Sequence, residues 1–254
     1  MTAGRAELAH VEGRPFELAP GALAAFTSRL GGISAAPFDT LNLGGGVGDD
    51  PAAVAGNRRL AAQLCGRAAD RTAWMRQVHG SDVVYAAGPT PAAGTAPVAD
   101  ALFTDVPDLA LGVLVADCAP VLIADPEARI IGAAHAGREG MAAGVVLALV
   151  HAMTAGGADP VRMRAVIGPA ICGGCYEVPA QLRARIADAV PAAGSVTTKG
   201  SPGIDIKAGV SAQLAGAGVR SVSRDPRCTA ETPALYSYRR DGRTGRFAGL
   251  VWLA

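Results

Sequence analysis

A 254-residue chain with half of its residues hydrophobic, 18% charged and a net charge of +1 has a globular composition, not that of a disordered chain. At this length a chain buries about 70–75% of its unfolded surface and needs no disulfide or metal staple to fold. Aromatic residues make up only 4%, too few for a base-stacking platform, and no basic stripe tracks a phosphate backbone, which argues against nucleic acid as a partner.

Residues 1–20 read as an N-terminal extension or edge strand within a single catalytic domain spanning 1–254. The opening MTAGRAELAHVEG has neither a basic n-region nor an apolar h-region, so no secretory signal is evident. Five scattered cysteines, an odd number without framework spacing, read as reduced thiols of a cytoplasmic protein.

Ala25 to Leu30 leads Thr27-Ser28-Arg29 into a break at Gly31-Gly32, and Leu41-Asn42-Leu43 leads into Gly44-Gly45-Gly46. The glycine cluster is not a dinucleotide loop, because Asp49 stands where the third glycine belongs, and no Lys-Ser/Thr follows for a phosphate loop. It reads as flexible backbone near a site. Asp50 before Pro51 is an N-cap with proline at N1, and Val54, Leu60, Ala61 and Leu64 share a helical face that Gly66 ends. Ala73 to Val78 alternates, Val83 to Ala87 reads as a second strand, and His79-Gly80-Ser81-Asp82 between them reads as a tight hairpin loop.

The stretch from Val98 to Gly140 is the centre of the chain. Leu109 to Ala116, Val121 to Ala124 and Ile130 to Ala134 are short, apolar and rich in β-branched residues, which predicts three buried strands. Cys118 and His135 stand at their ends, where a rigid scaffold hands side chains to loops. Met141 to Gly156 reads as one helix. The surrounding uncharged run holds glycines and His151, so it is read as a buried helix and not a membrane span. Arg164 to Ile167 predicts a strand, while Leu182, Ile186 and Val190, then Ile206, Val210 and Leu214, mark two more helices. An Asp241-Gly242 turn precedes a closing strand from Phe247 to Leu253. Strands and helices mix without a regular βαβα beat, which indicates α+β or a mixed-sheet sandwich.

Of four histidines, His10 and His151 read as structural or solvated, whereas His79 and His135 stand at element ends. Together with Cys118 they match the ligand set of an open zinc site. The plain alternative is Cys118 as a small buried hydrophobe. Cys172-Gly173-Gly174-Cys175 is a lone CxxC without a second pair, and spacing assigns it no role.

Several stretches, in order and across nearly the whole chain, resemble the YfiH family of laccase-domain proteins. They are Thr27 to Gly32 with Leu41 to Gly44, Gln77 to Gly80, Ala116 to Leu122, His135-Ala136-Gly137, and Ile167-Gly168-Pro169 with Cys175 to Val178. A weaker sixth comprises Cys228-Thr229, Tyr236 to Asp241 and Thr244 to Arg246. The family was once described as multicopper polyphenol oxidases and is now viewed as purine nucleoside phosphorylases. The resemblance implies a four-layer α/β/β/α sandwich with mixed sheets, resembling the catalytic-domain fold of cytotoxic necrotizing factor toxins. It implies His79, Cys118 and His135 as the metal-binding catalytic set, with Zn2+ the expected ion and Cu2+ possible by ligand softness. The implied activity is phosphorolysis of adenosine, inosine and methylthioadenosine, with adenosine deamination as a second reaction, so that the partners are a small-molecule nucleoside and phosphate. A multicopper oxidase needs many more histidines than the four present, so laccase chemistry is discounted.

On this reading Arg29, Asn42 and Arg239 orient anionic or hydroxyl groups, and Asp117 or Glu177 handles protons. The family continues His-Ala-Gly with Trp and then Arg or Lys. Here Arg138-Glu139 follows, and Glu139 in the cation's place is expected to repel phosphate. Two competing readings remain: a metal-free hydrolase or amidase with Cys118 as nucleophile and His135 or His79 as base, cell-wall precursor editing included, and a non-catalytic zinc-binding module.

Overall fold

The computed structural model describes residues 13–68, 70–90 and 96–254, so His10 and most of the N-terminal extension lie outside the described residues. In chain order the elements are β1 (Phe16–Ala19), β2 (Ala22–Phe26), α1 (Pro51–Leu64), β3 (Thr72–Ala73), β4 (Val83–Tyr85), β5 (Ala101–Thr104) and β6 (Ala110–Val115). Next come β7 (Ala119–Asp125), β8 (Ile130–Ala136), α2 (Arg138–Ala142), α3 (Val145–Ala155), β9 (Arg164–Ile167) and α4 (Ala180–Ala189). The chain ends with β10 (Gly194–Val196), β11 (Pro202–Ile204), α5 (Ile206–Gly216), β12 (Ser221–Arg224), α6 (Tyr238–Asp241) and β13 (Phe247–Leu253).

Among the described residues two large mixed sheets carry the fold, one ordered β1-β2-β13-β6-β3 and the other β12-β9-β7-β8-β5-β4. Successive side chains of a strand point to opposite faces, and here both faces are buried. Phe247, Val251 and Leu253 of β13 enter the core between the sheets, while Ala248, Leu250 and Trp252 enter a second core with Ala61 of α1. On the facing sheet Leu122 and Ala124 of β7 look inward, and Val121 and Ile123 pack beneath Leu149 of α3 and Val210 of α5. Helix, sheet, sheet and helices therefore stack as the expected four layers. No helix among the described residues is long and apolar enough to cross a membrane.

Two local expectations change. The segment carrying His79 is not a hairpin: β3 pairs with β6 in one sheet and β4 with β5 in the other, so residues 74–82 cross between sheets. Only Thr72–Ala73 stays in the first sheet, and beyond it the Gln77 side chain takes the place of a strand, donating to Leu114 O (2.7 Å) and accepting from Leu114 N (2.8 Å). The helix foreseen from Met141 to Gly156 is two helices, broken at Gly144 with φ +83°, a conformation open to glycine. Asp50 caps α1 through Ala52 N as foreseen (2.9 Å), and β1 lies at a sheet edge.

Leu122 is fully buried between the sheets, where neighbours on both sides are strands that cannot collapse inward. Leu122→Ala lowers stability by roughly 2–5 kcal/mol, read as a lower urea midpoint at unchanged slope.

Candidate active site

β7 and β8 are antiparallel with Pro120 opposite His135, so the start of one strand lies beside the end of the other. That register sets Cys118 against His135. Just before it the chain leaves β6 and changes sheets at Asp117, whose φ of 88° makes the turn. His79 arrives from the β3–β4 crossing at the same end of the sandwich, with φ 62°. Left-handed backbone at non-glycine residues is uncommon and concentrates where surrounding structure enforces it.

The enforcing group is Asp100, which has no solvent exposure. Its carboxylate accepts from the backbone N–H of Val78 (3.0 Å), His79 (3.0 Å) and Gly80 (2.7 Å), and from His135 Nδ1 (2.8 Å). One buried acid thus shapes the His79 loop and turns His135 so that Nε2 faces the sulfur. The His79 and His135 rings meet edge to face with centroids 4.7 Å apart, and Cys118 Sγ lies 3.9 Å from His79 Nε2. A side chain at Gly137 would put a Cβ 2.9 Å from His79 Cδ2 and 3.0 Å from Cys118 Sγ, and one at Gly140 would meet Gly80 O at 2.9 Å. Both glycines after His135 are therefore spatial requirements of the cluster.

Burial alone would push the Cys118 thiol up, but His135, with His79 behind it, overrides burial and brings it down to about 6. His135 is itself opposed by burial and raised to about 9 by Cys118 and Asp100. In the metal-free chain the pair is thiolate and imidazolium between those values. The linked stabilities run in opposite directions. The cysteine's contribution is present above its unfolded pKa and fades as pH falls through about 6. The histidine's is present below its unfolded pKa and fades as pH rises through about 9.

The cluster opens into a cavity of about 920 Å³ that Arg58, Arg76, Arg138, Arg239 and Arg246 line against one carboxylate, Asp117. Such a lining favours an anionic ligand. Gly44, Gly45 and Gly46 also border it, whereas Gly31 does not. A Cβ on Gly44 would meet Arg246 Cγ at 2.8 Å, so that glycine lets the arginine stem lie against the loop.

Of the other residues singled out from sequence, Asp117 and Arg239 line the cavity. Asp117 accepts from Thr229 Oγ1 (2.6 Å) and Arg239 N (2.7 Å), so both carboxylate oxygens are engaged. Arg239 Nη1 donates to Glu177 O (2.9 Å), and its guanidinium lies over the Tyr176 ring at 5.0 Å. Asn42 is fully buried outside the cavity lining and ties Gly44 to Arg246 through its Oδ1 (2.9 and 2.8 Å). Arg29 is not in the lining; it pairs with Asp39 (3.2 Å) and Asp241 (3.3 Å) and lies over Tyr236. Glu177 is exposed outside the lining and meets Arg239 through its carbonyl. Glu139 does not line the cavity either. Arg185 holds it by two bonds (2.7 and 3.0 Å) and Arg138 Nε by a third (3.1 Å), so its charge is matched. Arg138 itself faces the cavity and donates to the Tyr176 hydroxyl (2.7 Å).

Sequence reasoning missed Asp100 altogether and gave Gln77, Tyr176, Thr229 and Arg246 no role. For Asp100 a signal existed: an acid inside Val98-Ala99-Asp100-Ala101-Leu102 needs a partner once that run is buried.

The His79, Cys118 and His135 donor atoms lie within 4.8 Å of one another. Tetrahedral zinc asks for an S···N edge of about 3.5 Å, so the 3.9 Å between Cys118 Sγ and His79 Nε2 needs only a small contraction. Asp100 on His135 Nδ1 is the outer partner that metal-binding histidines require. One thiolate and two imidazoles with a cavity on the open side fit an open zinc site.

A four-layer sandwich with this cluster at its open end defines a YfiH-type protein. Residues 23–254 match the family model described as multi-copper polyphenol oxidoreductase laccase, and the chain belongs to that family. It is 55% identical over 229 residues to a purine nucleoside phosphorylase of Streptomyces griseus, covering 90% of this chain and 93% of the relative. A purine nucleoside phosphorylase of Streptomyces coelicolor is 53% identical, with 92% and 96% covered. Among solved structures, YlmD from Geobacillus stearothermophilus superposes with a TM-score of 0.86 at 33% identity, covering 92% of each chain. The YfiH protein of Bacillus licheniformis gives 0.84 at 29%, with 92% and 93% covered.

In chelator-treated protein, alkylation of Cys118 by iodoacetamide rises as pH passes upward through about 6. Asp100→Asn removes the acid that supports the His135 charge, so the alkylation midpoint moves upward, measured by intact mass against pH. An unshifted midpoint contradicts the linkage.

Proposed function

We propose that this chain is a purine nucleoside phosphorylase working at the His79, Cys118 and His135 cluster, with adenosine, inosine and methylthioadenosine as substrates and adenosine deamination as a second activity. The observation that carries the reading is the cavity: three donor side chains and five arginines face one space large enough for a nucleoside and phosphate together. The relatives named purine nucleoside phosphorylase, matched over about nine-tenths of this chain, support the same reaction.

His79, Cys118 and His135 hold zinc in this reading. The ion supplies Lewis acidity beside the substrate when bound. Asp100 keeps the His135 tautomer, and Gly137 keeps the approach clear. Arg246, Arg138 and Arg239 gather the phosphate, whose oxygen attacks ribose C1′ while the bond from C1′ to N9 breaks and its electron pair goes to the purine. The Tyr176 hydroxyl accepts from Arg138, which leaves its own proton for the departing base. Asp117, with both oxygens engaged, positions Arg239 and the sheet crossing and does not carry protons.

One observation favours a second reading. Asp100, His135 and Cys118 are aligned as orienting acid, base and nucleophile, the arrangement of a metal-free cysteine hydrolase. The two readings part on the fate of the sulfur, since a ligand resists alkylation in the purified protein and a nucleophile does not.

Incubation with each nucleoside and phosphate yields ribose 1-phosphate (its 5-methylthio form from methylthioadenosine) and free base, and adenosine without phosphate yields inosine. Cys118→Ala abolishes both reactions. Arg246→Gln raises the KM for phosphate by roughly ten- to a hundredfold, the worth of a charged hydrogen bond, with deamination less affected. A chain that releases no sugar phosphate from any of the three is not a phosphorylase of this class.

A further inference from the structure

Cys172 and Cys175 stand alone in sequence but not in the fold. β9 and β12 are parallel neighbours, so the loops leaving their C-terminal ends run side by side, and Ala170 bridges to Cys228. The first loop turns at Cys172–Cys175, the second at Cys228–Glu231, and the two turns share one hydrogen-bond pattern. The N–H groups of Cys175 and Tyr176 both donate to Cys172 O (3.0 and 3.0 Å), and those of Glu231 and Thr232 both donate to Cys228 O (3.1 and 2.9 Å). Two donor pairs, each with two residues between, therefore face each other across two strand ends. That is the ligand spacing of a zinc knuckle, completed by a carboxylate.

We propose that Cys172, Cys175, Cys228 and Glu231 form a second, structural zinc site, separate from the cavity cluster. Their donor atoms all lie within 4.8 Å of one another. Cys172 N donates to Cys228 Sγ (3.3 Å), a bond that steadies a thiolate, and Cys175 Sγ donates to Glu231 Oε1 (3.3 Å). Three sulfurs select a soft or borderline ion, and four protein ligands leave no open position, which marks the site as structural. Three thiolates and a carboxylate around a dication leave net negative charge. Lys207, buried with Nζ on the carbonyls of Asp225 and Arg227, faces the charges of Asp225 and Asp205 first and those of Cys228 and Cys172 after them, and so adds positive charge beside the site.

The site bears on the cavity through the residues that follow its ligands. Tyr176, next to Cys175, takes the bond from Arg138 and underlies Arg239. Thr229, next to Cys228, donates to Asp117 (2.6 Å). An ion pinning the two loops holds one wall of the cavity in place, and Tyr176 and Asp117 are carried by that wall.

The test uses the full chain carrying Cys118→Ala, which removes the sulfur of the cavity cluster. Elemental analysis of this purified variant returns about one zinc per chain under the tetrahedral geometry proposed. After stripping under reducing conditions it takes up Co2+ with sulfur-to-cobalt charge transfer and the visible bands of a tetrahedral centre, and zinc displaces the colour. Adding Cys175→Ser removes metal and bands together. Glu231→Gln, at an exposed position that the fold tolerates, keeps the charge transfer and weakens zinc binding by roughly ten- to a hundredfold. Four results overturn the proposal: no cobalt uptake, uptake without sulfur charge transfer, full metal retention by both ligand variants, or a disulfide among these cysteines in non-reducing mass analysis. None of these results bears on phosphorolysis, which the nucleoside assay decides separately.

Discussion

Asp100 sits where the β3–β4 crossing packs against the end of β8, and its two oxygens are shared among three backbone donors and one imidazole. A carboxylate wholly removed from water is costly unless its lone pairs are filled and a counter-charge lies near. Here both conditions are met by parts of the site itself. The loop must bend so that consecutive N–H groups converge on the acid, which holds His79 in left-handed backbone. His135 must present Nδ1 to it, which leaves Nε2 for the sulfur. The desolvation cost of one side chain is thus offset only by the geometry the chemistry uses.

Much of the fold was legible because most elements are long enough, or apolar enough, to declare themselves. The closing strand, the strand before Gly168 and the helices after Pro179 and Asp205 lie where periodicity placed them. The failures have local causes. Ala73 to Val78 alternates like one strand of a hairpin, yet alternation says nothing about which sheet a strand joins, and Gln77 performs with a side chain what a ladder would do with backbone. The helix after His135 breaks at Gly144, one glycine among many in this sequence, with nothing local to distinguish it.

The site divides the same way. His79, Cys118 and His135 were legible as reactive residue types at element ends, and the fold brings them together. Arg29 and Glu177 drew attention by charge, but charge alone does not separate a cavity wall from a surface pair. Asp100 and the partnership of Cys172 and Cys175 with Cys228 were hidden for opposite reasons. The acid lies just before β5, in a run too short to have been read as any element, and the two cysteine turns, 56 residues apart between Cys172 and Cys228, become neighbours only because β9 and β12 are parallel.

The β3–β4 and β6–β7 crossings lie at the same end, so His79 and Cys118 come from segments that bridge two separately hydrogen-bonded slabs, while His135 ends a strand of one of them. The spacing of those slabs is set by the inner core, which reaches the cavity wall through Met75 and Val115 and packs against Cys118. Any change that lets one slab slide or tilt over the other would register first as a changed approach of sulfur to imidazole. The thiol is, in effect, a gauge of how tightly the sandwich is closed.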